Sequence, residues 1–130
     1  MTIDVTWYDE DQTILHIQYH SQWTLEDFHQ MLDQSHRMTD NGRSFVAIGD
    51  FSQSSMLPNS LLSTSRRIEQ STPPNRLMLI LIQPNMLMQT LIRTVSKIYP
   101  KIFDNAQTVS TLDEAVAAAQ KCLQDQKPQP

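Results

Sequence analysis

The amino-acid sequence predicts an α/β domain with a mostly parallel sheet of about five strands and an antiparallel N-terminal strand. Three observations carry that reading. Two segments of strict apolar–polar alternation come first, over residues 2–8 and 14–19, with only a polar turn between them. Two later runs, 45–51 and 77–82, are apolar on both faces, as strands buried in a parallel sheet are. Segments of helical periodicity separate and follow these runs. The element order is β-β-α-β-α-β-α-β-α, and strands alternating with helices imply parallel neighbours joined by right-handed crossovers.

In the first strand Ile3, Val5 and Trp7 share one face, opposite Thr2, Asp4 and Thr6. After the turn Asp9-Glu10-Asp11-Gln12, the second strand sets Leu15, Ile17 and Tyr19 against Ile14, His16 and Gln18. The two make a hairpin with one wet face. Thr24 is an N-cap, with Glu26 and Asp27 in the first turn where the positive end of the helix dipole favours them. Leu25, Phe28 and Leu32 give the inward face of a helix over 25–39, stopped by Asn41-Gly42.

The stretch 44–59, SFVAIGDFSQSSMLPN, is the centre of the chain: an apolar strand ending at Asp50, a serine-rich loop, then Asn59 placed to cap a helix. Gly49 within the strand indicates a close approach to the backbone. The helix after Asn59 runs to about Gln70, with Leu61, Leu62, Ser65 and Ile68 inward, and Ser71-Thr72-Pro73-Pro74 breaks it. Residues 77–82, LMLILI, read as the most buried strand of all. Pro84-Asn85 opens a helix over 86–99 with a stripe of Leu87, Leu91, Val95 and Ile98 flanked by Met88 and Ile92. A short strand over 107–109 precedes a capping box, Thr111-x-x-Glu114, and a last helix over 112–123.

Length and composition bound the rest. With 130 residues the chain makes one domain, residues 1–123, followed by a disordered tail over 124–130. A net charge of −4 and scattered basic residues argue against nucleic acid, whose phosphates need a basic face. One cysteine, Cys122, forms neither an internal disulfide nor a multi-cysteine zinc site. Two glycines, Gly42 and Gly49, cannot build a glycine-rich phosphate cradle, and no cofactor is expected. The first residues lack a basic stretch followed by an apolar core, and no apolar run is long enough to cross a membrane. The expected location is the cytoplasm.

The element order, the strand 45–51 ending in Asp50 and the TxDEA stretch over 111–115 resemble a STAS-type domain, the fold of bacterial anti-sigma-factor antagonists. The resemblance covers residues 2–123. It implies a non-enzymatic regulatory or protein-interaction module working through the loop and helix after Asp50. In that family a phosphorylatable serine within a D-S-S-G-like motif opens this helix. Here Ser54-Ser55 follows Gln53 and precedes Met56, while Asn59-Ser60 lies at the better distance from Asp50 and also lacks the glycine. Ser54, Ser55 and Ser60 are therefore the candidate phosphorylation sites. A phosphate on Ser60 would sit at a helix N-terminus, where free N–H groups and the dipole favour a dianion.

Ligands of parallel α/β sheets gather at the carboxyl ends of the strands. That edge carries His20, Ser21 and Trp23, then Asp50, Ser52, Ser54 and Ser55, then Gln83 and Asn85. The candidate partner- or ligand-binding set is His20, Trp23, Asp50, Ser52, Asn59 and Asn85. Asp50, a serine and His20 sketch a nucleophile–base pair, although Asp50 and Asn85 serve equally to satisfy loop and helix-end amides. An alternative function is thus a small-molecule binder or enzyme using a pocket on this edge; a raised Asp50 pKa would favour it. No catalytic or metal site is assigned. His29 and His36 fall within about 20° of each other on the first helix but find no strong third ligand. The acidic turn over 9–11 lacks the spacing of a calcium loop. Seven methionines, among them Met31, Met38, Met78, Met86 and Met88, read mainly as core filler. If sequential strands are neighbours, all crossover helices share one sheet face. The other apolar face must then be covered by a terminal segment, by an altered strand order or by a second subunit. A homodimer and a protein partner are the expectations.

Overall fold

The computed structural model describes residues 2–20, 23–54, 65–103 and 105–125. Its strands are β1 (Ile3–Trp7), β2 (Ile14–Tyr19), β3 (Phe45–Asp50), β4 (Arg76–Ile82) and β5 (Ala106–Val109). The helices are α1 (Leu25–Thr39), α2 (Ser65–Gln70), α3 (Met86–Ile98) and α4 (Leu112–Asp125), with a 3-10 turn over Pro100–Phe103. The expected helix start at Asn59 lies outside the described residues.

The sheet runs β1-β2-β3-β4-β5, every strand beside its sequence neighbour. β1 is antiparallel to β2, and the other three pairings are parallel. The hairpin closes because the Asp9 carboxylate accepts the Thr13 and Ile14 amides at 2.9 and 3.0 Å and the Thr13 hydroxyl, while Gln12 takes a left-handed φ of 58°. These bonds outweigh the upward push of burial and hold the Asp9 carboxyl below its ordinary value. At α1 the cap is reciprocal. The Thr24 hydroxyl accepts the Asp27 amide at 3.1 Å, and the Asp27 carboxylate accepts the Thr24 amide at 3.0 Å. Thr2 reaches across from the first strand to donate to the same carboxylate, tying the helix start to β1.

The alternation of strand side chains divides the interior into two cores. On one face Leu15, Ile17, Phe45, Ala47 and Leu81 meet Phe28 and Met31 of α1 and Met88 of α3, with Ile68 of α2 beside them. On the other, Ile14, Val46, Ile48, Ile80 and Ile82 meet Ala115, Val116 and Ala119 of α4. Ala115 and Ala119, one turn apart and fully buried, let the α4 backbone approach the sheet closely. The second apolar face is therefore covered by a terminal segment, α4, and the apolar strands need no second subunit to bury them.

Several expectations change in detail. β3, not β4, is the most buried strand: every residue from Phe45 to Asp50 is buried, while Arg76, Leu77, Met78 and Leu79 are only half-buried. β5 pairs only Leu79 to Ile82 of β4, which leaves the first half of that strand at the sheet margin. Ile98 is 61% exposed and does not belong to the inward stripe of α3, whose described members are Met88, Leu91, Ile92 and Val95; the Leu87 side chain lies outside the described residues. The spacing 88, 91, 92, 95 keeps one face, whereas Ile98 falls where the helix gives way to the 3-10 turn that buries Ile102 instead. α4 continues two residues past 123, so Gln124 and Asp125 are helical rather than part of a frayed tail.

Gly49 is closely packed on the helix-rich side. A Cβ there would stand 3.1 Å from Leu81 Cδ2 and 3.6 Å from the Phe51 ring. Gly49→Val should destabilise the protein by about 1–3 kcal/mol through overpacking. Ile80→Ala, emptying space between β4 and α4, should cost about 2–5 kcal/mol. Urea unfolding midpoints with unchanged slope would check both; no change in the Ile80 variant would contradict the two-core packing.

Candidate functional site

Parallel register brings the ends of β2, β3 and β4 to one edge, with Gln18 beside Asp50 and Asp50 beside Ile82. Asp50 points to the α4 face, where an aliphatic residue would continue the run Val46, Ile48. α4 packs over β3, β4 and β5. The β1–β2 half of the same face carries Asp4, Thr6, His16 and Gln18, exposed or half-buried. Asp50 is thus a carboxylate only 3% exposed, set where the apolar core gives way to a polar strip.

Three donors meet it. One carboxylate oxygen accepts the Ser52 hydroxyl at 2.6 Å and the Ser52 amide at 3.0 Å, and the other lies 2.9 Å from His16 Nε2. Burial pushes the Asp50 carboxyl up, but the two Ser52 hydrogen bonds and the His16 contact outweigh it and hold the group below its ordinary value. The carboxylate is ionised and fully engaged, which is the opposite of the raised pKa that a proton-carrying acid would need.

His20 does not join this group. Its Nε2 lies 2.8 Å from the Asp4 carboxylate and its Nδ1 lies 3.0 Å from the Gln53 side-chain oxygen. The histidine on Asp50 is His16, four residues earlier, within β2. Nor does an imidazole stand between serine and carboxylate, as nucleophile activation requires. The carboxylate is in the middle, and the Ser52 hydroxyl donates straight to it. This arrangement locks the start of a loop.

The same loop is held from the other side of the sheet. Phe51 turns toward the helices and stacks on Tyr19 at 4.3 Å between ring centroids; Trp23 packs on Tyr19 at 5.0 Å. The Trp23 indole N–H donates to the Ser54 hydroxyl at 2.9 Å, and the Phe51 amide donates to the Ile82 carbonyl at 3.0 Å. Burial among these rings pushes the Tyr19 hydroxyl well above its ordinary pKa. Asn85 caps α3, its side chain accepting the Met88 amide at 2.8 Å, and Gln83 takes a left-handed φ of 51° and donates to the Ser110 carbonyl. Beside this edge Met86, in the first turn of α3, is 82% exposed.

The structure therefore brings together Asp50, Ser52, Ser54, Trp23 and His20 around residues 51–54, with His20 tied to them through Gln53. Asn85 belongs to a neighbouring helix cap. Ser55, Asn59 and Ser60 lie outside the described residues. His16 and Asp4 were absent from the sequence-derived set. Their alternation with apolar neighbours marks them as wet-face residues, but the partnership with Asp50 and His20 depends on strand register. Among the described residues, no group of three His, Cys, Asp or Glu side chains stands close enough to hold a metal ion. No helix of the described residues is long and apolar enough to cross a membrane.

A depressed carboxyl pKa stabilises the folded protein above the unfolded-state value, here the ordinary 3.8, and loses that contribution as pH falls through the folded-state value. Asp50→Asn should cost about 1–3 kcal/mol near neutral pH. The gap between wild type and variant should narrow as pH falls below about 4, a trend that urea melts across a pH series would record. A gap that is constant with pH would mean that Asp50 is not held below its ordinary pKa.

No protein-family model matches the chain, and no curated protein matches its sequence. Solved structures do. The anti-sigma factor antagonist SpoIIAA in its unphosphorylated form superposes with a TM-score of 0.66 at 13% identity, covering 92% of this chain and 96% of that one. The Bacillus cell fate determinant SpoIIAA in its phosphorylated form gives 0.59 at 17% identity, over 89% and 97% of the two chains. An anti-sigma-factor antagonist (STAS) domain protein from Planctomyces limnophilus gives 0.61 at 13% identity, over 91% and 97%. With a five-stranded mixed sheet and superpositions that cover nearly the whole of each chain, this protein has a STAS-like α/β fold.

Proposed function

We propose that this chain is a cytoplasmic, non-enzymatic regulatory module that binds a protein partner through the loop and helix following Asp50. The observation that carries the proposal is the double anchoring of residues 51–54. Asp50 and His16 hold the loop from the polar strip, and Trp23 and Tyr19 hold it from the helix side. A surface positioned this rigidly, with exposed Met86 beside it, suits recognition by a partner. The fold neighbours support the same reading, since one of them is an anti-sigma factor antagonist solved both with and without phosphate.

Phosphorylation is the proposed regulation. To Ser54, Ser55 and Ser60 the contact with Asp50 adds Ser52 as a candidate, since its hydroxyl donates to that carboxylate at 2.6 Å. A phosphate on Ser52 would replace the hydroxyl that donates to Asp50 and set two anions against each other, releasing the loop from the strand end. On Ser54 it would load charge onto the oxygen that accepts the Trp23 indole proton.

Cleavage after Arg43 and Arg66 releases one tryptic peptide spanning residues 44–66, which contains all four candidate serines among its seven. Protein purified from its own host should carry phosphate on that peptide or co-purify with a partner, and Ser52→Asp should lower partner capture at least tenfold, about 1.4 kcal/mol. Sedimentation of the purified chain separates a self-partner from a different protein: a dimer that Ser52→Asp dissociates identifies a second copy as the occupant. A chain without phosphate on residues 44–66 whose partner capture is unaltered by Ser52→Asp would remove this function from the loop.

A further inference from the structure

Among the described residues, the helix-side core is not filled. A cavity of about 160 Å³ lies between the sheet and helices α1, α2 and α3. Its walls include Leu15 and Ala47 from the sheet, Phe28 and Met31 from α1, and Leu91 and Val95 from α3. Protein interiors pack as densely as organic crystals, with few voids larger than one water molecule. This space is the liquid volume of about five waters at ~30 Å³ each. Water gains little there, because a buried water needs two to four polar partners. The lining is mainly apolar, with Ser35, His36, Thr39, Ser71, Thr72 and Arg76 as its polar side chains, and several of these are already engaged. Thr39 donates its hydroxyl to the Ser35 carbonyl at 2.8 Å, Thr72 donates to the Ile68 carbonyl at 3.0 Å, and the Ser35 hydroxyl lies 3.5 Å from the Met31 sulfur.

We propose that this cavity is a binding site for a compact, neutral, apolar molecule of the size of a single aromatic ring. Volume and chemistry agree on that class. An apolar protein cavity of about 150 Å³ stays dry and takes up benzene. The rings of Tyr19, Phe28 and Phe51 on the lining offer edge and face contacts that favour an aromatic guest. A charged guest is disfavoured, since most of the lining is aliphatic or aromatic and the Arg76 guanidinium on it already donates to the Ile102 carbonyl at 2.6 Å. The site is separate from the polar strip on the opposite sheet face and does not depend on the regulatory reading of the loop.

Benzene is the probe. Titrated into the folded protein and followed by methyl-group NMR, it should shift the methyl resonances of Leu15, Leu91 and Val95 and leave those of Val46 and Ile48, on the other face, unmoved. Benzoate, the same ring with a charge, should bind at least tenfold more weakly, about 1.4 kcal/mol. Filling the space from the sheet with Ala47→Leu, or from the helix side with Leu91→Phe if the central strand will not take the bulk, should reduce benzene affinity at least tenfold. Two results overturn the proposal: no shift of the lining methyl groups up to benzene saturation, or unchanged benzene binding in a folded cavity-filling variant.

Discussion

β3 must be covered on both faces, and that requirement shapes the rest of the molecule. It hydrogen-bonds to a parallel neighbour on each side, and each of its residues from Phe45 to Asp50 is buried. Three crossover helices cannot cover it alone, because sequential right-handed connections deposit them on one side. The last helix completes the sandwich by passing to the other face, where its alanines let it sit close to Ile48 and Ile80. Two separate apolar cores result, joined only through the backbone of the sheet, and both depend on the same six residues. An aliphatic strand of this kind tolerates a charge only at its end, and Asp50 occupies that end.

The position of Asp50 connects the core with the loop that follows it. Its carboxylate stands at the boundary between the α4-covered core and the uncovered β1–β2 half of the face, so its charge is retained by hydrogen bonds rather than by water. Those bonds come from His16 on the neighbouring strand and from Ser52 in the loop. The chain then alternates across the sheet: Asp50 and Ser52 engage the polar face, while Phe51 between them inserts into the aromatic stack of Tyr19 and Trp23. The loop is consequently pinned to two environments that respond to different signals, one to charge and one to packing. The cavity on the helix side shares Tyr19, Trp23 and Phe51 with that stack, so its filling and the position of the loop bear on the same rings.

Local sequence chemistry foretold the elements well wherever one short pattern decided them. The cap at Thr24, the wet-faced hairpin and the stop at Gly42, whose φ is +73°, are all set by neighbours within four residues. Errors arose where burial depends on distant partners. The run LMLILI has the composition of a fully buried strand, yet its first half lies at the margin because β5 is only four residues long. Ile98 continues an apolar stripe by count, yet the helix ends there and the 3-10 turn buries Ile102 in its place. The site shows the same division. Asp50, Ser52 and Trp23 were legible because a polar residue ending an apolar strand, followed by serines, marks the edge where loops begin. His16 was not, because its contact with Asp50 spans 34 residues and exists only in one strand register.

The sequence alone therefore determined the α/β class, the order of elements, the hairpin and the location of the central loop. Alternation, capping and glycine placement are local properties with short-range physical causes. The tertiary structure decided which helix covers the second face, which histidine meets the carboxylate and where the core is left open. Each of those depends on how residues far apart in the chain are brought together, through crossover handedness, parallel register and the volumes of opposing side chains.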